Sequence, residues 1–351
     1  MAEARPRVWV SQPLFDDVIE QLGQHVELAM THEVTRYTPD LLAAQLAQVD
    51  GALITLNERI GPAEIAHAPQ LRAIANVGVG YNNLDVDALS AAGILASNTP
   101  DVLTETTADL GFALLMATAR RITEAERWLR EGQWGQWSFQ TMLGADIHGS
   151  TLGILGMGRI GQGIARRGGL GFGMRVLYHN RSRLPDATEA EVGAEYVDLD
   201  TLLAQSDHLV LVLPYSPSSH HIIDAAALAR MKPTATLVNI ARGGIVDELA
   251  LADALAHGRL AAAGLDVFEG EPAVRPELLA LRNIVLTPHI GSASQATRRA
   301  MVQLAVDNLL AALGLGANAG NPPSAINADA VAAVKTGAAT VGGKKTDDAK
   351  R

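Results

Sequence analysis

The sequence predicts an α/β protein of two domains, each built on a parallel β-sheet covered by helices. Short apolar segments alternate with segments that carry apolar residues at helical spacing. The alternation breaks near Pro100 and restarts at Thr151. This order is typical of parallel sheets, because a crossover helix must return the chain to the same edge. The 351 residues, 48% hydrophobic and 19% charged, are enough for two domains of ordinary size.

The N-terminal segment carries strand and helix candidates in alternation, at 8–10, 14–23, 51–55 and 71–77. After Pro100, apolar residues at helical spacing predict one long helix over 103–130, of the kind that commonly connects two lobes. A further helix is predicted over 295–313, where it would pack back on the first lobe. The first domain would then be discontinuous in sequence.

From Thr151 onward, six strand candidates follow with helical patterns between most of them, at 152–155, 175–179, 208–213, 236–240, 262–266 and 283–286. Six strands in this rhythm predict a Rossmann-type doubly wound sheet. Residues 317–351 have few large apolar side chains and end in a polar run rich in glycine and lysine. This composition predicts a disordered tail.

One short segment carries a specific ligand-binding pattern. The run 152–155 leads into Gly156-x-Gly158-x-x-Gly161, and helical spacing begins at Ile160. Between a strand and a helix, such glycines permit a tight turn, close approach of a pyrophosphate to the backbone, and close helix packing. The helix N-terminus presents free N–H groups to the phosphates. The segment therefore predicts a dinucleotide site; a glycine-rich turn without a ligand is the alternative.

The residues after the second predicted strand of this domain indicate which dinucleotide is preferred. An acidic residue there accepts hydrogen bonds from ribose hydroxyls of NAD, whereas arginine suits the 2′-phosphate of NADP. This chain has Asn180 followed by Arg181, Ser182 and Arg183, so the acid is missing and two guanidinium groups flank a hydroxyl. The segment favours NADP(H), with NAD(H) as a second cofactor; a solvated arginine loop is the alternative.

Composition argues against several classes of function. The formal net charge is −10 without a basic run in the body of the chain, so nucleic acid is not an expected partner. Cysteine is absent, which excludes disulfides, thiolate catalysis and cysteine-ligated metals. Neither a secretory leader nor a membrane-length apolar stretch is evident, and we expect a cytoplasmic enzyme without membrane contact. The adjacent His220 and His221 lack nearby carboxylates in the sequence, and we expect no metal site.

Reactive groups follow three different predicted strands: Arg242, then Asp266 and Glu271, then His289. Ligands of open α/β sheets bind at the carboxyl ends of the strands. Each residue alone has an ordinary explanation, such as a surface ion pair or a bystander histidine. Together at one edge of a sheet they favour a catalytic site.

Over residues 5–316 the chain resembles the D-isomer-specific 2-hydroxyacid dehydrogenases. The resemblance rests on the glycine motif, on Ala241-Arg242-Gly243, on 266–272 (DVFEGEP) and on 288–292 (PHIGS). Within the family the chain is most similar to glyoxylate/hydroxypyruvate reductases that also reduce 2-ketogluconate, on the stretches 77–85 (VGVGYNNLD) and 103–109 (LTETTAD). The resemblance implies a dinucleotide-binding domain at 103–290 and a smaller, flavodoxin-like substrate domain formed by 1–102 and 291–316.

The family mechanism implies that Arg242 holds the carboxylate and keto oxygen of the substrate. Protonated His289 would give a proton to the carbonyl oxygen while hydride arrives from the nicotinamide. Glu271 would bond the far imidazole nitrogen and favour the charged ring. The backbone N–H groups of Val79 and Gly80 would also bind the substrate carboxylate.

The resemblance implies a set of cofactor contacts beyond the glycines and the loop at 180–183. These are Arg159 and Ile160 in the glycine motif, Thr106 and Asp266 at the nicotinamide carboxamide, and Leu213, Pro214, Ile240, Ala241 and Gly291 along the cofactor site. Asp266 as a structural acid is the alternative. Trp134 and Trp137 are expected in an arm between the subunits of a homodimer, or one of them at the substrate mouth.

Other activities of the same fold stay open. Phosphite dehydrogenases have lysine in the place of Val79, and formate dehydrogenases pair their histidine with glutamine, so both fit this chain less well. Phosphoglycerate dehydrogenase shares the triad but typically has an acid in the place of Asn180. A dinucleotide sensor related to the C-terminal-binding corepressors would also keep the triad, and turnover of a 2-keto acid would separate it from an enzyme.

Overall fold

A computed structural model of the chain describes residues 4–336, apart from the side chain of residue 335. The chain divides into two compact units. One contains the residues up to Val102 and from Gln295 onward, and the other runs from Leu103 to Ser294. The sequence placed the second boundary after residue 290, whereas the turn 291–294 belongs to the second unit. Within the described part of the chain, no helix combines the length and apolarity that crossing a membrane requires.

The strands, in chain order, are β1 (Arg7–Val10), β2 (Glu27–Met30), β3 (Gly51–Ile54), β4 (Ala73–Asn76), β5 (Leu95–Ser97), β6 (Thr151–Leu155), β7 (Arg175–His179), β8 (Ala194–Tyr196), β9 (His208–Leu211), β10 (Thr236–Asn239), β11 (Ala262–Leu265) and β12 (Ile284–Leu286). The α-helices are α1 (Asp16–Gly23), α2 (Pro39–Leu46), α3 (Pro62–Ala66), α4 (Val86–Ala91), α5 (Thr104–Ala119), α6 (Ile122–Arg130), α7 (Arg159–Arg166), α8 (Asp186–Val192), α9 (Leu199–Gln205), α10 (Ala225–Arg230), α11 (Glu248–Ala256), α12 (Pro276–Leu279), α13 (Gln295–Ala312) and α14 (Ala328–Lys335). Shorter turns of helix are π-helical at Arg167–Gly171 and 3₁₀ at Pro217–Ser219 and Gly243–Ile245.

The sheet of the first unit has five parallel strands in the order β2-β1-β3-β4-β5. This is the flavodoxin-like order. Successive side chains of a strand face opposite sides, and β1 uses both faces. Val8 and Val10 pack in one core with α1 and α13, whereas Trp9 packs in the other core with Leu46 of α2 and Leu89 of α4. The expected flavodoxin-like unit is confirmed.

The second unit has seven parallel strands in the order β8-β7-β6-β9-β10-β11-β12. This is the Rossmann order 3-2-1-4-5-6 with one further strand, so the predicted fold class is confirmed. Phe112 of α5 and Ile164 of α7 pack on one face of the sheet, and Leu203 of α9 and Leu251 of α11 pack on the other. The winding reverses between β6 and β9, and ligands of doubly wound sheets bind beside such a reversal.

Three strands were not predicted, namely β2, β5 and β8. β2 and β8 lie at the edges of their sheets and are largely half-exposed, so neither contains a buried apolar run. β5 has only three residues. The single helix expected over 103–130 is wrong, because Arg121 adopts a left-handed backbone conformation with φ of 54° and separates α5 from α6.

The C-terminal segment is ordered further along the chain than its composition predicts. Disorder was expected from residue 317, yet Ala325 pairs with the edge of β5 as an antiparallel bridge, and α14 packs against α4. A buried hydrogen bond explains why this segment is ordered. Oδ1 of the buried Asn327 accepts a hydrogen bond from the N–H of Ala96 at 2.8 Å, which gives this backbone donor of the edge strand β5 a partner. Residues 337–351 of the expected tail lie outside the described residues.

Candidate active site and dinucleotide site

The glycine loop after β6 is shaped for close approach of a ligand. Gly156 has a φ of 104°, and a Cβ on it would lie 2.6 Å from the backbone nitrogen of Leu213. A Cβ on Gly161 would collide with the carbonyl oxygen of Gly156, so this glycine lets α7 pack on the strand. A Cβ on Gly158 would meet no heavy atom within 4 Å, so the space over this residue is open. The loop therefore has the turn, the packing and the open side that a pyrophosphate requires.

Helix α7 begins at Arg159 and has no side chain capping its N-terminus. Its cap residue is Gly158, and Ile160 lies in its first turn. N–H groups at such an end attract phosphate oxygens. The N–H of Met157 donates to Oδ1 of Asn180 at 2.6 Å, which ties the loop to the end of β7. The residues of this loop fit the phosphates of a dinucleotide.

Of the two arginines after β7, Arg183 already has a partner within the protein. Its Nε and Nη2 donate to the two carboxylate oxygens of Glu189, at 2.9 and 2.7 Å. The Tyr178 hydroxyl donates to the same carboxylate at 2.5 Å. The hydrogen bonds from Arg183 and Tyr178 lower the pKa of Glu189 to about 2. Burial, together with the bond to Glu189, raises the pKa of Tyr178 to about 12. The expected role of Arg183 in binding a phosphate therefore competes with a bidentate ion pair.

Arg181 and Ser182 are exposed on the same loop. Arg181 makes no hydrogen bond or ion pair with any residue that the structure describes. The loop is fixed at both ends, because Asn180 holds Met157 and the N–H of Leu184 donates to the Tyr178 hydroxyl at 2.8 Å. The loop therefore presents one guanidinium group that has no internal partner.

Arg242 lies in the turn after β10, and Asn239 shapes that turn. Oδ1 of Asn239 accepts the N–H of Ala241 at 3.0 Å, and its Nδ2 donates to the carbonyl oxygen of Arg242 at 2.9 Å. Nη1 of Arg242 donates to the carbonyl oxygen of Ala241 at 2.6 Å. Burial lowers the pKa of Arg242, and the charge of Glu271 acts in the opposite direction. Arg242 is thus a partly desolvated cation near the carboxylate of Glu271, suited to bind an anion.

His289 and Glu271 form a direct pair. Nδ1 of His289 lies 2.8 Å from Oε2 of Glu271, and Oε1 of Glu271 accepts the N–H of Phe268 at 2.8 Å. Burial raises the pKa of Glu271, but the hydrogen bond and charge of His289, the Phe268 N–H and the charge of Arg242 outweigh it. The pKa of Glu271 therefore lies below its usual value. The pair places an ionised carboxylate beside Nδ1 of the imidazole ring.

Asp266 is 1% exposed and anchors the turn that carries His289. It accepts hydrogen bonds from the Thr287 hydroxyl at 2.7 Å and from the N–H groups of Ile290 and Gly291, both at 2.8 Å. The backbone N–H of His289 donates to the carbonyl oxygen of Asp266 at 2.9 Å. Burial raises the pKa of Asp266 against the effect of these donors. In this structure Asp266 and Gly291 contact each other, and their expected contact with the cofactor stays a prediction.

The other expected cofactor contacts also lie in the second unit: Thr106 in α5, Leu213 and Pro214 after β9, and Ile240 and Ala241 after β10. Val79 and Gly80 lie in the first unit, in the loop after β4. Their carbonyl oxygens accept hydrogen bonds from Asn98 at 2.8 Å and from Asn76 at 3.1 Å.

His220 and His221 lie close to a carboxylate that is distant in sequence. Their rings stack with centroids 3.8 Å apart, and Nε2 of His221 lies 3.4 Å from Oε2 of Glu269. One nitrogen or oxygen of each residue lies within 4.8 Å of the other two. The sequence argument against a metal missed Glu269, which only the fold brings near. The fold also brings Arg275, whose Nη2 lies 3.6 Å from the same oxygen, so a cation already neutralises this carboxylate.

Two polar residues that the sequence analysis missed shape the loops that carry Arg242 and Glu271. Asn239 holds the turn of Arg242, as described above. Glu248 is 2% exposed and accepts the N–H of Glu269 at 2.5 Å, which braces the loop that leads to Glu271. Burial raises the pKa of Glu248. In the sequence, only their positions could have indicated these roles. Asn239 is a polar residue at the end of a strand, and Glu248 is a polar residue at the first position of a helix.

The chain is similar to known proteins over most of its length. Residues 112–291 match the sequence model of the D-isomer specific 2-hydroxyacid dehydrogenase, NAD binding domain. The chain is 44% identical over 337 residues to glyoxylate reductase of Thermococcus kodakarensis, covering 95% of this chain and 99% of the relative. It is 44% identical over 310 residues to glyoxylate/hydroxypyruvate reductase B of Klebsiella pneumoniae, covering 88% of this chain and 95% of the relative.

A solved structure is similar over nearly the same length. The NADPH-dependent glyoxylate/hydroxypyruvate reductase of Sinorhizobium meliloti, in complex with NADP and malonate, superposes with a TM-score of 0.81 at 36% identity. The match covers 93% of this chain and 98% of that protein. Likeness of this extent includes residues of both units. The chain therefore belongs to the family of D-isomer-specific 2-hydroxyacid dehydrogenases.

Proposed function

We propose that the protein reduces small 2-keto acids with NADPH, with glyoxylate and hydroxypyruvate as the first substrates and 2-ketogluconate as a third. The observation that carries this proposal is the 2.8 Å pair of His289 and Glu271 near the cation Arg242. Such a reduction needs a proton donor, a group that orients it, and a cation for the substrate carboxylate. The names of the relatives from T. kodakarensis and K. pneumoniae support the same substrates.

In the proposed mechanism, Arg242 binds the carboxylate and the keto oxygen of the substrate through its planar set of N–H donors. His289 donates a proton from Nε2 to that oxygen as negative charge develops on it. Glu271 on Nδ1 orients the ring and stabilises the imidazolium. A reduced dinucleotide held by the glycine loop would supply the hydride for the carbonyl carbon. The N–H groups of Val79 and Gly80 add donors to the substrate carboxylate. The product is a 2-hydroxy acid, of D configuration where a stereocentre forms.

The proposed preference for NADPH depends mainly on Arg181. This residue has no partner among the described residues, whereas Arg183 is paired with Glu189. We assign the 2′-phosphate to Arg181, with Ser182 and the Asn180 amide beside it. The lack of a carboxylate at position 180 favours a phosphate there, and the S. meliloti relative was solved with NADP. NADH is the weaker cofactor in this proposal.

The first experiment measures initial rates of NADPH and NADH oxidation with glyoxylate, hydroxypyruvate and 2-ketogluconate. We expect turnover of the first two substrates and a higher kcat/KM with NADPH than with NADH. Activity with NADH alone would contradict the cofactor assignment and leave the reductase standing. Tight dinucleotide binding without turnover of any keto acid would instead indicate a dinucleotide-sensing binding protein.

We also propose that the protein is a homodimer whose contact includes the segment 134–143. Within this segment Trp134, Trp137, Phe139 and Leu143 are 53, 64, 84 and 64% exposed. Large apolar side chains clustered on a surface mark an interaction site. Sedimentation velocity should give about twice the chain mass of 36.9 kDa, and Phe139→Asp should shift the protein toward the monomer. A monomeric wild type would overturn this proposal.

A further inference from the structure

We propose that Asn98 is a positioning residue for the loop that binds the substrate carboxylate, and that the C-terminal segment around Ser324 holds Asn98 in place. The inference rests on the proposed function for the role of Val79 and Gly80. All the contacts that carry it lie within the first unit.

The carbonyl oxygens on both sides of Val79 accept hydrogen bonds from the segment after β5. The N–H of Thr99 donates to the carbonyl oxygen of Gly78 at 3.0 Å, and Nδ2 of Asn98 donates to that of Val79 at 2.8 Å. In a planar trans peptide the N–H points away from the C=O of the same peptide unit. The N–H groups of Val79 and Gly80 therefore both point away from Asn98 and Thr99, toward the same side of the loop.

These two N–H groups have no acceptor among the residues that the structure describes, and both residues are half-buried. Neighbouring backbone donors that face one side form a concavity for an anion. Asn76 fixes the next peptide, because its Nδ2 donates to the carbonyl oxygen of Gly80 at 3.1 Å. Nδ2 of Asn83 in turn donates to Oδ1 of Asn76, also at 3.1 Å. The donors are thus oriented before any substrate binds.

Asn98 is itself clamped by residues from the far end of the chain. Its carbonyl oxygen accepts hydrogen bonds from the Ser324 hydroxyl at 2.7 Å and from Nδ2 of Asn308 at 3.2 Å. Its N–H donates to the carbonyl oxygen of Ser324 at 3.3 Å. Asn308 is completely buried in α13 and accepts the N–H of Ser324 at 2.8 Å. A segment that composition predicted to be disordered therefore sets the backbone of Asn98.

Asn98→Ala removes the donor and leaves the peptide between Val79 and Gly80 free to rotate. We expect KM for glyoxylate to rise about tenfold or more, the range for one weakened hydrogen bond to a charged group. We expect kcat to change far less, because the proton donor lies elsewhere. Ser324→Ala should raise KM in the same direction by a smaller factor, and it tests the clamp if Asn98→Ala folds poorly.

A matched control is Asn283→Ala in the second unit. The amide of Asn283 also donates to two backbone carbonyl oxygens, at 3.0 and 3.3 Å, but at the start of β12. We expect this variant to keep the wild-type KM. If Asn98→Ala and Ser324→Ala keep it as well while the wild type turns over glyoxylate, the proposal is wrong.

A binding readout separates this inference from the proposed function. Oxalate, a small dicarboxylate, is added to the full chain saturated with NADP⁺ and labelled with ¹⁵N at valine and glycine. We expect the amide signals of Val79 and Gly80 to shift in the wild type, and to shift much less in Asn98→Ala. Equal shifts in both proteins would overturn the role of Asn98. A wild type without turnover of keto acids would overturn the proposed function, and the oxalate shifts would still decide whether Asn98 orients these donors.

Discussion

The hydrogen bond between His289 and Glu271 joins two side chains that are each 33% exposed. At this depth a charge is screened less than on the surface and is still partly hydrated, so the pair is neither a negligible surface ion pair nor a fully desolvated one. A carboxyl whose pKa lies below its usual value stays ionised throughout the neutral range and into mildly acidic conditions. Glu271 is therefore a constant charge for the ring rather than a second titrating group.

Glu271→Gln keeps the shape of the side chain and removes its charge. We expect kcat for glyoxylate to fall roughly 10²-fold or more, because the imidazolium loses its ionic partner. In the wild type, the lowered pKa of Glu271 predicts no loss of kcat from its protonation down to about pH 5. Profiles from pH 5 to 9, with a deuterated cofactor to verify that hydride transfer is limiting, measure both effects. A variant with the wild-type profile would remove Glu271 from this role.

Arg181→Ala and Arg183→Ala form a matched pair of variants for the loop at 180–183. They test whether Arg181 binds the cofactor while Arg183 stabilises the fold. Arg181→Ala should raise KM for NADPH about 10- to 100-fold, as expected for a lost charge-assisted contact, and leave KM for NADH nearly unchanged. Arg183→Ala should mainly lower the Tm, because it breaks the pair with Glu189. Steady-state kinetics with both cofactors and thermal melts check the two outcomes. A larger KM effect from Arg183→Ala would reverse the assignment.

At the scale of helices and strands, the sequence predicts best where a buried apolar run is continuous. β6, β9, β10 and β11 are buried along nearly their whole length, and the sequence located each of them. The edge strands β2 and β8 lack such runs, because the outer side of an edge strand meets solvent. Local pattern therefore finds the buried strands, including the edge strand β12, and misses edge strands that are largely half-exposed, such as β2 and β8. The fold class nevertheless follows from the central strands alone.

Gly158→Ala and Gly161→Ala test the glycine loop as one element with two functions. A Cβ on Gly158 meets open space, so Gly158→Ala should melt near the wild-type temperature, whereas its methyl group would occupy the approach of the pyrophosphate and raise KM for NADPH. A Cβ on Gly161 would collide with the backbone of Gly156, so Gly161→Ala should lower the Tm. Melting curves without cofactor separate the two effects. A Gly158→Ala protein with wild-type affinity for NADPH would place the pyrophosphate elsewhere.

At the scale of the whole chain, contacts between distant residues account for what the sequence analysis left out. The glycine motif and the strand-end residues Arg242 and His289 stand in recognisable local patterns, so the sequence alone makes them candidates. The family that these patterns indicate is confirmed by the relatives. Asn98 acquires its contacts only when residues 308 and 324 fold against it. No local sequence pattern indicates these contacts, and composition predicted disorder for the segment that contains Ser324.

The free energy of unfolding should fall in acid because of a buried histidine. His208 is 1% exposed, and its ring nitrogens lie 2.8 Å from the Thr236 hydroxyl and 3.2 Å from the carbonyl oxygen of Asp146. Burial lowers the pKa of His208 despite the nearby charge of Asp207. The unfolded chain then binds a proton more readily than the folded one, so stability falls as the pH drops below the usual histidine pKa of about 6.5. Urea unfolding at pH 7.5 and 5.5 should show a greater loss of unfolding free energy for the wild type than for His208→Gln. Equal losses would contradict this account.

The backbone of His289 has a φ of 52°, in the left-handed region. A residue with a Cβ there costs about 1–2 kcal/mol, and glycine avoids that cost. Selection for thermostability alone would therefore favour glycine at the position where the proposed mechanism needs an imidazole. Directed evolution of this protein toward higher melting temperature is expected to lose His289 early, unless turnover is selected in the same screen.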